Sequence, residues 1–195
     1  MKVERIAEIE SEDIQIGDRI HVDHYTATCQ EIAPGVALFL MDQYLDKGYP
    51  MNRRNTNMGD YAESDLRETL RSKEILDIFK DIRDYMVPFD NGDLLRIPFA
   101  GEFFDKLPEW CEPDGHEQWP LMQDRRNRLA SRCGEYEWGW INNKVKSSST
   151  YFCGVNRYGD AYYWCASVVF GVRPVFQIAA EKMKNFLSAA EGGKA

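Results

Sequence analysis

The stretch WGWINNKVKSSSTYFCGVNRYGDAYYWCASVVFGVRPVFQI, residues 138–178, decides the fold that we expect for this chain. Its β-branched and aromatic residues fall in short runs separated by turn residues, a pattern typical of antiparallel strands. The runs predict strands over 150–155, 161–166 and 172–178, with a turn at 156–160. We therefore expect the chain to end in a β-rich, aromatic closing unit.

Five residues of this stretch are expected to have a structural role. We expect Gly171 to permit a tight bend because glycine lacks a β-carbon. Pro174 fixes its own φ and restricts Arg173 to extended geometry. Arg173 is expected to be partly buried, bonding loop carbonyls or pairing with a carboxylate. Trp138 and Trp140 are expected to pack in or beside the core.

The sequence upstream predicts strands first and helices afterwards. A β-hairpin is expected over 25–41. Helices are expected over 63–70, over 73–86 with Ser72 as N-cap, and over 118–130. Strands at both ends and helices between them predict an α+β fold, with one twisted antiparallel sheet from both chain ends and two or three packed helices.

The same pattern predicts a single domain, since no linker or internal repeat divides the chain. The domain is expected over 15–178, with an N-terminal lead-in at 1–14 and a C-terminal tail at 179–195. The chain has 195 residues, a natural size for one globular domain.

Composition narrows the classes of partner. The formal net charge is -8, so direct nucleic-acid binding is not expected, because such binding draws its affinity from Lys and Arg. No run approaches the length of a membrane span, and the charged start does not fit a signal peptide. We expect a location in the cytoplasm of a bacterial host, or on a virion, and a protein partner; the oligomeric state stays open.

Several motifs carry a family resemblance. Trp138-Gly-Trp-Ile141, Tyr151-Phe-Cys-Gly-Val155 and Gly171-Val-Arg-Pro-Val-Phe-Gln-Ile178 resemble the DUF6273-type domains of gut Firmicutes and their phages. Tyr61-Ala-Glu-Ser-Asp-Leu-Arg67 is similar to the Tyr-x-x-Ser-x-Leu-Arg helix start of that family. The family's Trp-Leu-Arg-Ser lacks its Arg-Ser pair here, so no role of that pair carries over.

The Gly-Val-Arg-Pro ending also resembles that of formylglycine-generating-enzyme-like domains and of retroelement-diversified C-type-lectin domains. That resemblance implies a C-type-lectin-like fold. In the diversified relatives, the segment that corresponds to 151–164 carries the variable residues that contact ligand. The resemblance therefore implies a binding role for this segment.

The composition of 151–164 favours the same role, because Tyr, Trp and Arg are over-represented in binding hot spots. Alternation along a strand requires about half of these aromatic side chains to face the core. The candidate binding residues are Tyr151, Phe152, Asn156, Arg157, Tyr158, Asp160, Tyr162, Tyr163 and Trp164.

Catalysis finds little support in the sequence. The spacing of the three histidines does not fit a metal site, no nucleophile elbow occurs, and the five cysteines form no CxxC pair. We therefore expect free thiols, although Cys153 and Cys165 are spaced to allow a disulfide across a hairpin. No catalytic residue, metal site or cofactor is expected.

Three functional hypotheses remain. The first is a non-catalytic binding protein of phage or mobile-element origin that uses the aromatic segment. The second is a phage counter-defence protein that inhibits a host nucleic-acid-binding enzyme by acidic-surface mimicry. The third is an oxidoreductase related to the formylglycine-generating group.

Overall fold

The computed structural model describes residues 14–179 and shows a mixed α+β fold built on antiparallel sheets. The strands are β1 (Arg19–Val22), β2 (Tyr25–Ala33), β3 (Val36–Met41), β4 (Tyr49–Pro50), β5 (Met86–Val87), β6 (Ser131–Arg132), β7 (Glu135–Tyr136), β8 (Gly139–Lys144), β9 (Tyr151–Val155), β10 (Ala161–Cys165), β11 (Val169–Phe170) and β12 (Val175–Ala179). The helices are α1 (Asp65–Leu70), α2 (Lys73–Leu76) and α3 (Ala100–Phe103). Single 3₁₀ turns cover Tyr61–Glu63, Asp77–Phe79, Arg83–Tyr85, Pro120–Gln123 and Arg125–Arg128.

The main sheet joins the two ends of the described chain, as the sequence predicted. Its five strands run in the order β1-β2-β3-β12-β5, and every pairing is antiparallel. The closing strand β12 pairs with β3, so that Phe176 lies opposite Phe39. The rings of Phe39 and Phe176 stack with centroids 5.7 Å apart, and Phe79 meets Phe176 edge-on at 5.3 Å.

The predicted hairpin over 25–41 is confirmed. Strands β2 and β3 pair across a turn at Pro34 and Gly35, and Gly35 has φ +81°, a conformation that glycine adopts without strain. The register shifts between Cys29 and Glu31, so Gln30 is the extra residue of a β-bulge. The bulge changes the direction of the Gln30 side chain relative to the regular alternation of the strand.

Apolar side chains form two buried clusters. One contains Phe39, Phe79 and Phe176 together with Leu66 and Leu70 of α1. A second cluster gathers β3, β9 and α3 residues around a buried tryptophan; its bulky members are Leu40, Phe103, Trp119, Met122, Ile141 and Val155. The main sheet therefore carries packed apolar side chains on both faces, which fixes the position of every strand that borders it.

The long helix predicted over 73–86 is wrong in length. Ser72 does cap its start, since its Oγ accepts a hydrogen bond from the backbone N–H of Ile75 at 3.4 Å. The helix α2 ends at Leu76, two 3₁₀ turns follow, and Met86 already pairs with Ile178 in the main sheet. Because Met86 belongs to a strand of the main sheet, a helix that begins at Lys73 cannot continue to Met86.

The helix predicted over 118–130 is absent; two 3₁₀ turns replace it. Side chains take backbone groups that a helix would use: Asn127 Nδ2 donates to the Leu121 carbonyl at 2.7 Å, and Arg128 Nε donates to the Met122 carbonyl at 2.8 Å. Asp124 adopts an extended conformation and accepts from the Arg126 N–H at 2.9 Å. Such local side-chain bonds compete with a helix and here replace it.

A second sheet, of order β10-β9-β8, carries the C-terminal hairpin. Gly139 of β8 bridges to Gly171, which connects this sheet to the segment that leads into β12. Nearly all of the predicted lead-in and tail fall outside the described residues. Within 14–179, no helix combines the length and apolarity that a bilayer crossing requires.

Candidate functional site

The turn between β9 and β10 is built by Asn156. Its Oδ1 accepts hydrogen bonds from the backbone N–H groups of Tyr158 at 2.8 Å and Asp160 at 3.0 Å. Gly159 has φ +82°, which closes the turn without a β-carbon penalty. Asn156 was predicted to contact a ligand, but its amide oxygen is already committed to the turn.

Alternation divides the aromatic side chains of the hairpin between core and surface. Phe152, a predicted binding residue, has no exposed surface and lies in the core, so that assignment is corrected. In β10, Tyr162 is 40% exposed and Trp164 is 41% exposed, whereas Tyr163 between them is half-buried. Tyr162 and Trp164 therefore face solvent together, as strand geometry predicted.

Four rings form a continuous surface, here called the aromatic face: Trp138, Tyr162, Trp164 and Phe170. The Trp138 ring meets Tyr162 nearly at right angles at 5.1 Å and Trp164 at 5.6 Å between centroids. Phe170 stacks on Trp138 at 5.6 Å. These are favourable offset and edge-to-face geometries, which hold the two exposed rings in place.

The sequence missed part of this surface. Trp138 was expected to pack in or beside the core, yet it is partly exposed and its ring contacts the other rings of the aromatic face. Phe170 was not considered, because it lies outside the hairpin and its two-residue strand β11 pairs with β4. Neither contact follows from periodicity within one strand.

The opposite side of the hairpin is mostly a packing surface. Tyr163 meets Trp110 edge-on at 4.9 Å and lies 5.4 Å from the Tyr151 ring, and both tyrosines border the second apolar cluster. A small cleft of about 200 Å³ wraps around β10, lined by Tyr151, Tyr162, Tyr163, Trp164 and Cys165. The predicted binding residues Tyr151 and Tyr163 therefore reach the surface only along this cleft.

Strand β10 is the outermost strand of its sheet. Two backbone hydrogen bonds flank the β9–β10 hairpin: the Asn156 N–H donates to the Asp160 carbonyl, and the Ala166 N–H donates to the Thr150 carbonyl. Because hydrogen-bonded pairs alternate along an antiparallel ladder, the backbone groups of even-numbered β10 residues bond to β9. Ala161 and Tyr163 then point their N–H and C=O groups outward. In residues 14–179 those groups meet no hydrogen-bond partner, which leaves an open sheet edge beside the aromatic face.

Charged side chains border the turn. The Arg157 guanidinium lies 5.1 Å from the centroid of the Tyr158 ring. Asp160 forms an exposed ion pair with Arg125 at 3.4 Å. Tyr158 is 57% exposed, the most exposed aromatic residue of the hairpin. The aromatic face therefore has a polar rim at its turn end, as interfaces commonly do.

The chain around 171–174 that leads into β12, here called the closing segment, packs against the Tyr44 ring. A β-carbon at Gly171 would lie 2.6 Å from Tyr44 Cδ2, and one at Gly139 would lie 2.6 Å from Tyr44 Cε1. Gly171 forms a β-bridge with Gly139 and does not lie in a turn, so the expected tight bend is corrected: close contact with an aromatic ring requires the glycine. The Tyr44 hydroxyl is buried and has no hydrogen-bond partner among the described residues, and burial raises its pKa.

The other structural predictions are confirmed. Trp140 is buried, and its Nε1 donates to the Tyr49 carbonyl at 2.8 Å. Arg173 is buried and donates to the carbonyls of Met41 at 2.5 Å and Asn127 at 2.9 Å. The Pro174 carbonyl accepts from the Met41 N–H at 3.0 Å, which anchors the closing segment to β3.

All five cysteines are free. Cys153 does not face Cys165; its Sγ lies 3.1 Å from the Sγ of Cys111, and both side chains are buried. Hydrogen bonding to Cys111 and burial raise the pKa of the Cys153 thiol, and burial raises the pKa of Cys29 to about 12. Such protonated thiols are poor nucleophiles.

Within the described residues, no group of three or more His, Cys, Asp or Glu side chains is placed to hold a metal ion. His24 instead lies between Asp23 Oδ2, at 3.0 Å, and Asp46 Oδ2, at 3.1 Å. The hydrogen bond that the imidazole donates to Asp23 and the charge of Asp46 raise the pKa of the imidazole. Comparison with known proteins found no match to this chain among family models, curated proteins or solved structures.

Proposed function

We propose that this protein is a non-catalytic binding protein that recognises an extended segment of a partner protein along β10. The observation that carries the proposal is the coincidence of an open strand edge with exposed Tyr162 and Trp164. A peptide that adds as a strand gains backbone hydrogen bonds from the edge and side-chain contacts from the aromatic face.

The contrast between the outer strands supports this assignment. Strand β1 is also a sheet edge, but its exposed side chains are Arg19 and His21, and a charged residue such as Arg19 discourages strand addition. Strand β10 presents a tyrosine and a tryptophan instead. Ring-on-ring contacts with Trp138 hold both side chains in place before binding, which lowers the entropy cost of association.

A C-type-lectin-like fold and membership of the DUF6273-type group belong to the same proposal, as does an origin in a phage or mobile element. The pairing of β12 with β3 supports the fold, because it joins the two ends of the chain in one sheet. The position of Arg173 and Pro174 at the start of β12 also supports it, since the shared Gly-Val-Arg-Pro ending then has a structural task.

Acidic mimicry of nucleic acid receives less support. Such mimicry needs carboxylates free to imitate phosphates, and Asp65, Asp93 and Asp124 each form an ion pair with an arginine. Their charges are neutralised locally.

The proposal is tested with peptides of random linear sequence, selected for binding to the full chain. Trp164→Ala and Tyr162→Ala should each weaken a selected peptide at least about tenfold, because hot-spot rings are worth about 2 kcal/mol or more. Tyr136→Ala is the matched control, since Tyr136 is 61% exposed but lies outside the aromatic face. Isothermal titration calorimetry measures the affinities.

The backbone part of the proposal has its own readout. Hydrogen exchange of the Tyr163 amide should slow when the peptide binds, and N-methylation of alternate peptide amides should abolish binding. Peptides that bind equally well to Trp164→Ala and to the parent chain would contradict the proposal, as would unchanged Tyr163 exchange. Circular dichroism confirms that each variant is folded.

A further inference from the structure

A second cleft, of about 500 Å³, lies away from the aromatic face. It opens between β2 and the 3₁₀ turns at 120–128, and Arg173 and Gln30 are among the residues that line it. Its volume falls in the range of small-molecule sites, which is about 300–1,000 Å³. None of the residues proposed to bind a peptide lines it.

Arg173 contributes to this cleft a buried charge that the more distant Asp42 carboxylate compensates only in part. It is 6% exposed, and its Nε and Nη1 donate to carbonyl groups. Within residues 14–179, its remaining terminal nitrogen has no hydrogen-bond partner, and no carboxylate lies within ion-pair distance. Burial lowers the pKa of the guanidinium, yet arginine stays charged in proteins. A buried charge without a close counter-ion is costly unless an anion joins it.

Gln30 contributes an uncompensated acceptor. It is the bulge residue of β2 and is only 2% exposed. Its Nε2 donates to the Thr28 carbonyl at 3.1 Å, whereas its Oε1 is buried and has no hydrogen-bond partner in the range 14–179. Bulges are common beside functional sites because they re-aim a side chain. The cleft therefore combines an unmatched acceptor with a cation that is compensated only in part.

The remaining charged groups of the cleft make it locally basic on an acidic chain. Arg19 and Arg126 line it as well, and Arg126 is already paired with Asp124 at 2.7 Å. The carboxylate in the lining, Asp42, accepts hydrogen bonds from the hydroxyls of Thr26 at 2.8 Å and Thr28 at 2.6 Å, and lies 3.5 Å from Arg19. Its acceptor capacity is therefore largely used.

We propose that this cleft binds a small organic carboxylate that carries a hydroxyl or ammonium group beside the carboxylate. The carboxylate pairs with the free nitrogen of Arg173. The neighbouring donor bonds Gln30 Oε1 after a rotation of the Gln30 side chain, because this oxygen is closed to solvent in the free protein. Charge-assisted bonds from arginine to carboxylate are among the stronger hydrogen bonds in proteins. This site is independent of the peptide site, so either can fail without the other.

The test is an NMR titration of the full ¹⁵N-labelled chain with three probes of similar size. L-lactate offers both groups, propionate lacks the hydroxyl, and lactamide lacks the charge. Lactate should give saturable shifts at Gln30 and Asn127, and propionate should bind about three- to tenfold more weakly, the usual worth of one hydrogen bond. Lactamide should give no saturable shift at these residues.

Two variants separate the contributions. Gln30→Met keeps the length of the side chain, so it should fold and bind lactate and propionate equally. Arg173→Lys should weaken lactate at least about tenfold, because an ammonium lacks the planar fork. Arg54→Ala, an exposed arginine outside the cleft, is the control and should bind lactate like the parent.

The proposal is overturned if lactate gives no saturable shift, if lactamide binds as tightly as lactate, or if Gln30→Met keeps the preference for lactate. If Arg173→Lys does not fold, the Gln30→Met comparison decides alone.

Discussion

At the scale of single residues, Tyr44 explains why the closing segment needs two glycines. The sequence singled out Gly171 correctly, but it could not supply the reason. The reason is a contact with a ring that is distant in the chain, and only the packed structure brings Gly139, Gly171 and Tyr44 together. Arg173 was easier to predict, since any buried guanidinium must find acceptors and carbonyls are the commonest ones available.

The buried hydroxyl of Tyr44 leads to a prediction about stability. Tyr44→Phe removes a hydroxyl that has no hydrogen-bond partner in the described part of the chain, so stability should be unchanged or should rise by up to about 1–2 kcal/mol. Tyr25→Phe is the matched comparison, because the Tyr25 hydroxyl accepts from the Asp46 N–H at 3.0 Å. That variant should lose about 1 kcal/mol. Urea denaturation followed by circular dichroism measures both changes.

The two substitutions are chemically identical, so their difference isolates the hydrogen bond. A loss of stability in Tyr44→Phe equal to that in Tyr25→Phe would show that the Tyr44 hydroxyl is satisfied in solution.

At the scale of elements, helix starts were more predictable than helix lengths. Ser72 was recognised as an N-cap because capping depends on a local bond to a backbone N–H. The end of α2 and the loss of the helix at 118–130 depend on other parts of the chain. Met86 joins β12, and the Asn127 carbonyl is taken by Arg173. Such tertiary contacts override local propensity.

The two serine caps should differ in strength. Ser64 Oγ accepts from the Arg67 N–H at 3.1 Å and donates to the Tyr61 carbonyl at 2.8 Å, and the residue is buried. Ser64→Ala should therefore cost about 1–2 kcal/mol. The Ser72 bond is longer, at 3.4 Å, and that residue is only half-buried, so Ser72→Ala should cost about 0.5 kcal/mol.

Thermal unfolding with each variant at the same protein concentration measures the difference. Equal losses would mean that burial of the Ser64 hydroxyl and its bond to Tyr61 add nothing to the capping bond.

At the scale of the whole molecule, the aromatic face and the basic cleft differ in how far the sequence predicted them. The aromatic face was predicted from composition, although alternation removed Phe152 from it and packing added Trp138 and Phe170. The basic cleft was not predicted, because it combines a bulge in β2 with Arg173 from the closing segment.

The charge of His24 leads to a prediction about how stability depends on pH. Only the imidazolium can donate from both ring nitrogens, to Asp23 and to Asp46. Because its pKa is raised in the folded state, its contribution is fully present below the ordinary value of 6.5 and is lost as pH rises through the folded value. The melting temperature of the parent should therefore exceed that of His24→Asn most near about pH 6 and least above about pH 8.

The size of this effect is limited by exposure, because His24, Asp23 and Asp46 are all exposed and water screens their charges. Exposed pairs are worth about 0–1 kcal/mol, and in a chain of this size that corresponds to at most about 2–4 °C. In a background that carries Asp23→Asn and Asp46→Asn, the pH-dependent difference due to His24 should disappear, since no carboxylate then accepts from the ring. A pH-dependent difference that persists in that background would contradict the prediction and assign the pH response to interactions of His24 with groups other than Asp23 and Asp46.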